Sequence, residues 1–383
     1  MSNDFEFVVL GGGGVGSSAA YHLARAGKSV VLLEQFEIGH NRGASHGESR
    51  IIRYSYEKVE YIRMAVHAYK LWAEVEAELG RKLLKRTGGL DLGWPGSQDF
   101  QDCIDSLTHE KIAHEVVDAK EVRKRYPQFQ IPDEVRGLWQ ADSGVLKPDE
   151  CVPAIVELAQ RHGAVVHGST TVSKIEVQSD SAKVFTTSGD VFKGKKLIVA
   201  PGAWAAAILS QLGVNVSLKV TCEQYAFFEP ADQSSFQPDD FPVFINYGEE
   251  PLLYGFPQLD ALGVKVAEHH GGVVTTADAR SFEAEPGRLE RLTRRMQKLL
   301  PGLTSNINRS ATCLYTTTPD RHFIIDKLPG RSNVIVGAGF SGHGFKFTIF
   351  VGQLLMELAM DAKPTCSIEM FNLTRLIGTP AQA

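Results

Sequence analysis

Near the start of the chain, Gly11-Gly12-Gly13-Gly14-Val15-Gly16 satisfies the spacing G-x-G-x-x-G. Between a strand and a helix, that spacing serves phosphate chemistry. Gly11 permits the tight turn, Gly13 lets the backbone approach a pyrophosphate, and Gly16 lets the helix lie close to the strand. From Val15 onward the opening helix offers unpaired N–H groups and the positive end of its dipole. Glu34 stands about twenty residues further on, where a carboxylate holds a ribose hydroxyl pair and disfavours a 2′-phosphate. The spacing by itself fits FAD and NAD alike.

The elements needed to position these residues are legible around them. Residues 5–10 are a short apolar run, expected as a buried strand; 17–26 have helical spacing, with Gly27 as a stop; 29–33 form a second buried strand. A strand–helix–strand unit implies a parallel sheet. Residues 196–200 and 333–336 read as two more buried strands, each running into a glycine-containing turn and a helix. Between them, 218–230 and 242–266 are rich in β-branched and aromatic residues with turn signals, the pattern of an antiparallel sheet.

Bulk composition narrows the function classes. With 383 residues, 43% hydrophobic and 22% charged, the chain suits a large globular fold. A net charge of -5 gives no broad attraction to nucleic acid or anionic lipid. No apolar run is long enough to span a bilayer, and neither end carries a recognisable address, so the expected location is cytoplasmic. Cys103, Cys151, Cys222, Cys313 and Cys366 are scattered, with no zinc or dithiol spacing, and no metal is implied.

Longer segments separate the cofactors. Ser45-His46-Gly47-Glu48-Ser49-Arg50-Ile51-Ile52-Arg53 resembles the signature after the second strand in the family of monomeric sarcosine oxidases, N-methyltryptophan oxidases and pipecolate oxidases. Tyr254-Gly255-Phe256-Pro257, Lys265 through His269, and Cys313-Leu314-Tyr315 resemble later family segments in the same order. So does Gly339-Phe340-Ser341-Gly342-His343-Gly344-Phe345-Lys346-Phe347. Glu48 and Ser49 depart from the Asp and Thr frequent in sarcosine-specific members, and Ile245 lies in a poorly matched pocket segment, which leaves the exact amine open.

The resemblance implies an α/β fold: a Rossmann-like FAD domain with a parallel sheet, and a substrate domain on a largely antiparallel sheet. The expected pieces are 1–85, 145–218 and 320–383 for FAD, and 86–144 and 219–319 for substrate. It further implies FAD joined covalently to Cys313, although a lone cysteine would otherwise read as a small buried hydrophobe. Arg53 and Lys346 match the pair that grips a substrate carboxylate, chemistry suited to an Arg fork and a compact ammonium. Arg50 matches a flavin-facing arginine, for which a phosphate or structural ion pair is the competing role. Lys265 matches the lysine where oxygen is reduced, although its alternation with apolar neighbours also suits a strand residue facing water. Tyr254, His269 and Tyr315 match pocket positions. His46, Ser49, Gly342 and Gly344 match positions that hold the flavin.

The implied activity is oxidation of a secondary-amine amino acid, with imine hydrolysis and reduction of O2 to hydrogen peroxide by a monomer. Sarcosine and other N-methyl amino acids lead; pipecolate, proline or a bulkier N-alkyl amino acid are alternatives. A flavin dehydrogenase with another acceptor, or a nucleotide-binding protein without catalysis, are the rival classes.

Overall fold

The structure, a computed structural model, describes residues 3–377. Met1, Ser2 and residues 378–383, with the C-terminal tail read above, lie outside the described residues.

The first strand, Asp4–Leu10, is buried over its last four residues and lies between two parallel neighbours. Val30–Leu33 flanks it on one side and Val191–Val199 on the other. Arg331–Ala338 then adds in parallel to Val191–Val199. All of Val30–Leu33 is buried, as a continuous aliphatic run in a covered parallel sheet should be. An antiparallel flap, Val172–Val177 and Ala182–Thr186, extends the other half of Val191–Val199. This explains why the apolar run 196–200 marked only part of that strand. Its first half alternates buried and exposed residues and carries no continuous apolar signal.

Helix Gly14–Arg25 starts three residues before the apolar spacing that begins at Ser17, because glycines fill its first turn. Together with Pro148–Arg161, Val59–Leu79 and Thr348–Ala359 it builds the larger core, which includes Tyr21, Trp72, Ile155 and Phe350.

The second sheet runs Val273–Val274, Lys219–Pro230, Val264–His269, Leu252–Gly255, Val243–Tyr247, Gly89–Gly93, Arg136–Gln140 and Glu115–Asp118. Long strand Leu303–Thr317 pairs with Lys219–Pro230. Its pairings are antiparallel except where Val243–Tyr247 meets Gly89–Gly93 in parallel. A small third sheet, Arg50–Ile52, Gly144–Leu146 and Leu84–Arg86, lies where the chain passes between the two large sheets in sequence. It carries Arg50 directly, and Arg53 just beyond its end.

Candidate active site

The glycine turn is sterically committed. Gly11 has φ +99°, and a Cβ there would lie 2.3 Å from the Ala200 carbonyl oxygen. A Cβ on Gly16 would sit 1.8 Å from the Gly11 carbonyl oxygen. Glu34 is buried, and its Oε2 accepts from the Gly12 N–H at 2.6 Å while Oε1 accepts from the Phe36 N–H at 3.0 Å. The carboxylate thus braces the turn and lines the same cavity. Ser45 Oγ accepts from the Gly14 N–H at 3.0 Å.

From this turn a cavity of about 670 Å³ extends into the second sheet, large enough for a dinucleotide-sized ligand. Its wall includes Gly11, Gly13, Val15 and Glu34, and also Arg50, Arg53, Lys265, Cys313 and Lys346. Residues far apart in sequence therefore share one space.

Arg53 and Lys346 meet at Tyr56. The Lys346 Nζ donates to the Tyr56 hydroxyl at 2.7 Å and to the His343 carbonyl at 2.9 Å. The Arg53 guanidinium stands over the Tyr56 ring, 4.6 Å from its centroid. Burial, and then the nearby Arg53 charge, push Lys346 well below the ordinary amine pKa. Arg53 is itself tethered: its Nη1 donates to Ser55 Oγ at 2.7 Å and to Asp91 Oδ2 at 3.3 Å, and also meets the Ser55 carbonyl.

Lys265 is buried, which overturns the possibility that it faces water. Both faces of its strand, Val264–His269, are covered. Its ammonium donates to the Ser49 carbonyl at 3.3 Å and lies 4.0 Å from the Tyr225 ring centroid. Desolvation, then Arg50, pull its pKa far down. Among the described residues, Arg50 gives three hydrogen bonds, to the carbonyls of Ser49, Ala44 and His46, and carbonyls rather than a carboxylate hold it. Cys313 is a free, buried thiol; burial raises its pKa and Arg50 opposes the shift.

His269, Tyr254 and Tyr315 cluster in the wall, with His269 Nδ1 3.3 Å from the Tyr315 hydroxyl. Desolvation, then His270, hold His269 far below neutral pH titration. Burial pushes Tyr254 up to about 12 and raises Tyr315 well above the ordinary phenol range. Gly342, at φ +79°, lets the Tyr315 ring approach: a Cβ would lie 2.2 Å from it. Gly344 lines the cavity beside it.

Three expected cofactor residues do not form the wall. Gly16 packs beneath the turn. His46 and Ser49 are buried behind it, with His46 Nε2 and Ser49 Oγ unpaired, and offer backbone carbonyls to Arg50. Sequence reasoning missed Tyr56, Asp91 and Thr348. Tyr56 gave only its closeness to Arg53. Asp91 gave a usable signal, a lone acid inside the apolar run Gly89–Gly93. Thr348 gave none; its Oγ1 is buried without a hydrogen-bond partner on the cavity wall beside Gly14.

A phosphate cradle that opens onto buried cations is the architecture of a dinucleotide-dependent oxidoreductase. The chain belongs to the FAD dependent oxidoreductase family, whose profile matches residues 6–358, and FAD is its cofactor. It is 35% identical over 379 residues to monomeric sarcosine oxidase of Bacillus sp. (strain NS-129), covering 98% of each. It is 30% identical over 378 residues to N-methyl-L-tryptophan oxidase of Citrobacter koseri, covering 97% of this chain and 99% of that one. Among solved structures, the open form of NikD, an unusual amino acid oxidase essential for nikkomycin biosynthesis, superposes with a TM-score of 0.85. It covers 100% of both chains at 22% identity, a likeness of fold. The residues present fit FAD: the Gly11–Gly16 cradle, the unpaired Thr348 hydroxyl and the Arg50 guanidinium all suit a large anionic ligand.

Proposed function

We propose that the protein oxidises the C–N bond of amino acids bearing a secondary amine, N-methyl amino acids such as sarcosine first, with FAD joined to Cys313. One observation carries this most: Arg53 and Lys346 converge on Tyr56 in the wall of the cavity that also holds the glycine turn and Cys313. The sarcosine oxidase and N-methyltryptophan oxidase relatives support the substrate class.

When bound, FAD supplies the two-electron acceptor. Arg53 and Lys346 take the substrate carboxylate, which fixes the neighbouring amine carbon and replaces an entropic search. His269 stays neutral, and Tyr254 and Tyr315 stay protonated, so the wall beside the amine is polar without added charge. That environment favours a neutral amine. The imine product hydrolyses in water; an N-methyl substrate gives formaldehyde and the primary amino acid. Electrons end on O2, giving hydrogen peroxide. Lys265 stabilises negative charge forming on oxygen, because a desolvated ammonium gains most from an anion appearing beside it. Arg50 adds positive field, while His46 and Ser49 hold the loop that carries it.

The FAD domain comprises 1–85, 145–218 and 320–383, and the substrate domain 86–144 and 219–319. The strand membership of the two large sheets supports this division. The protein works as a cytoplasmic monomer; the free cysteines and the monomeric Bacillus relative support that.

A panel of secondary-amine amino acids, cyclic ones included, assayed for peroxide, tests the substrate class. Peroxide from at least one N-methyl or cyclic amino acid is expected; none from any would contradict it. Acid precipitation tests the tether: yellow colour should stay in the pellet, and flavin released to the supernatant would remove the Cys313 linkage.

A further inference from the structure

We infer that Asp91 is a positioning residue that sets both the direction and the charge of the carboxylate anchor, making the site selective for monocarboxylate amino acids. This rests on the assignment of Arg53 and Lys346 to the substrate carboxylate.

The geometry is specific. Asp91 interrupts an otherwise apolar strand and is almost fully buried. Its flanking residues, Leu90 and Leu92, point the opposite way, into the core of the substrate sheet. Asp91 therefore lies on the other face of that sheet. It is in register with Ile245 of the neighbouring parallel strand, and Ile245 lines the cavity. Asp91 Oδ2 receives Arg53 Nη1 at 3.3 Å.

The remaining contacts of Arg53 sharpen the point. Its hydrogen bonds to described residues, to Ser55, Asp91 and Tyr247, all leave from Nη1. The guanidinium is pinned by one nitrogen, and Nη2 and Nε stay available to a ligand. A planar fork held in this way presents a fixed edge to a carboxylate.

Charge follows from the same contact. Arg53 and Lys346 would together place two positive charges beside Tyr56. Burial raises the Asp91 pKa and the Arg53 charge opposes that shift; as a carboxylate Asp91 offsets one of the two, so a single bound carboxylate matches the charge that Arg53 and Lys346 leave over. A second carboxylate beside Tyr56 would find Arg53 and Lys346 already matched, by Asp91 and by the first carboxylate; the further cavity cation, Arg321, acts on His269 and His270 instead. It would also face Glu57, which lines the cavity and acts on Lys346. A buried, unmatched charge is strongly disfavoured.

Calorimetric titration of the FAD-bound protein with propionate and succinate tests this without turnover. Succinate is propionate with one further carboxylate. Wild type should bind propionate at least about tenfold more tightly than succinate, the size expected of one unmatched buried charge. Asp91→Asn keeps the shape, removes the negative charge, and should narrow that ratio by about tenfold or more. Asp91→Glu should retain the wild-type preference. An unchanged ratio in Asp91→Asn would overturn the inference, as would equal or tighter succinate binding by wild type, which needs no variant to fold. If wild type binds neither probe, the carboxylate anchor itself fails and takes this inference with it. Propionate binding with a ratio that does not move defeats the role of Asp91 alone.

Discussion

Lys265 buries an ammonium against aromatic rings with one carbonyl as its hydrogen-bond acceptor. Such a group opposes folding, and under the proposed function it acts once a reacting anion forms. Lys265→Met fills similar space without the charge. It should melt at the wild-type temperature or higher, a gain of between zero and about 2 kcal/mol, since apolar replacement of buried charge is often neutral or stabilising. Reoxidation by O2, followed by stopped flow, should slow by about a hundredfold or more. A lower melting temperature with unchanged reoxidation would refute that role. Lys346 gives a pH signature instead. Its pKa is depressed by burial and by Arg53, and a bound carboxylate raises it again. Substrate affinity is therefore full at pH values below the depressed pKa and falls as pH rises through it. The Michaelis constant should climb on the alkaline side, at pH values below those of an ordinary lysine. Lys346→Met should bind more weakly throughout and lose that alkaline rise. A wild-type profile identical to the variant's would show that Lys346 does not contact the carboxylate.

At the scale of elements, the glycine turn and the Gly339–Gly344 turn both line the cavity. Gly16→Ala must place its methyl against the Gly11 carbonyl oxygen, 1.8 Å from the ideal Cβ position. A cost of about 3 kcal/mol or more is expected, with loss of FAD retention, because backbone cannot yield as a flexible side chain can. Denaturant unfolding and flavin content measure both; a fully flavinylated variant of wild-type stability would contradict the packing. These turns were legible in sequence because they depend on local spacing. The first strand, its helix and the second strand were legible for the same reason: two short apolar runs and one helical spacing, the first strand and the helix each running into a glycine. The outer half of Val191–Val199 was not, since its alternation belongs to an antiparallel flap formed by chain outside the window. Lys265 is the complementary case. Alternation with apolar neighbours suggested an exposed face, but long strand packing and the Arg50 loop cover it.

For the molecule as a whole, the cavity joins the parallel nucleotide sheet to the antiparallel one, so bound FAD links the two halves. A tethered cofactor cannot be diluted away. Cys313→Ser should fold and bind FAD reversibly, with a melting temperature that rises with added FAD, by the equivalent of about 2.7 kcal/mol at a hundredfold excess over Kd. Wild type should show no such dependence; the same FAD dependence in both proteins would argue against a tether. Apart from the pairing of Arg53 with Lys346 that the family resemblance implied, local sequence patterns could not supply the meeting of distant pieces. Tyr56 joins Arg53 to Lys346 across nearly the whole chain, and Asp91 approaches Arg53 from another sheet. No local pattern records either contact. The central claim, that two cations hold an acid group so its neighbouring amine carbon is oxidised, is tested most directly by masking that acid. Peroxide production should be compared for an N-methyl amino acid and for its carboxamide, in wild-type enzyme. The account predicts that kcat/KM falls by about a hundredfold or more for the amide, the loss of a charge-assisted bidentate contact. Equal kcat/KM for the two compounds would contradict it.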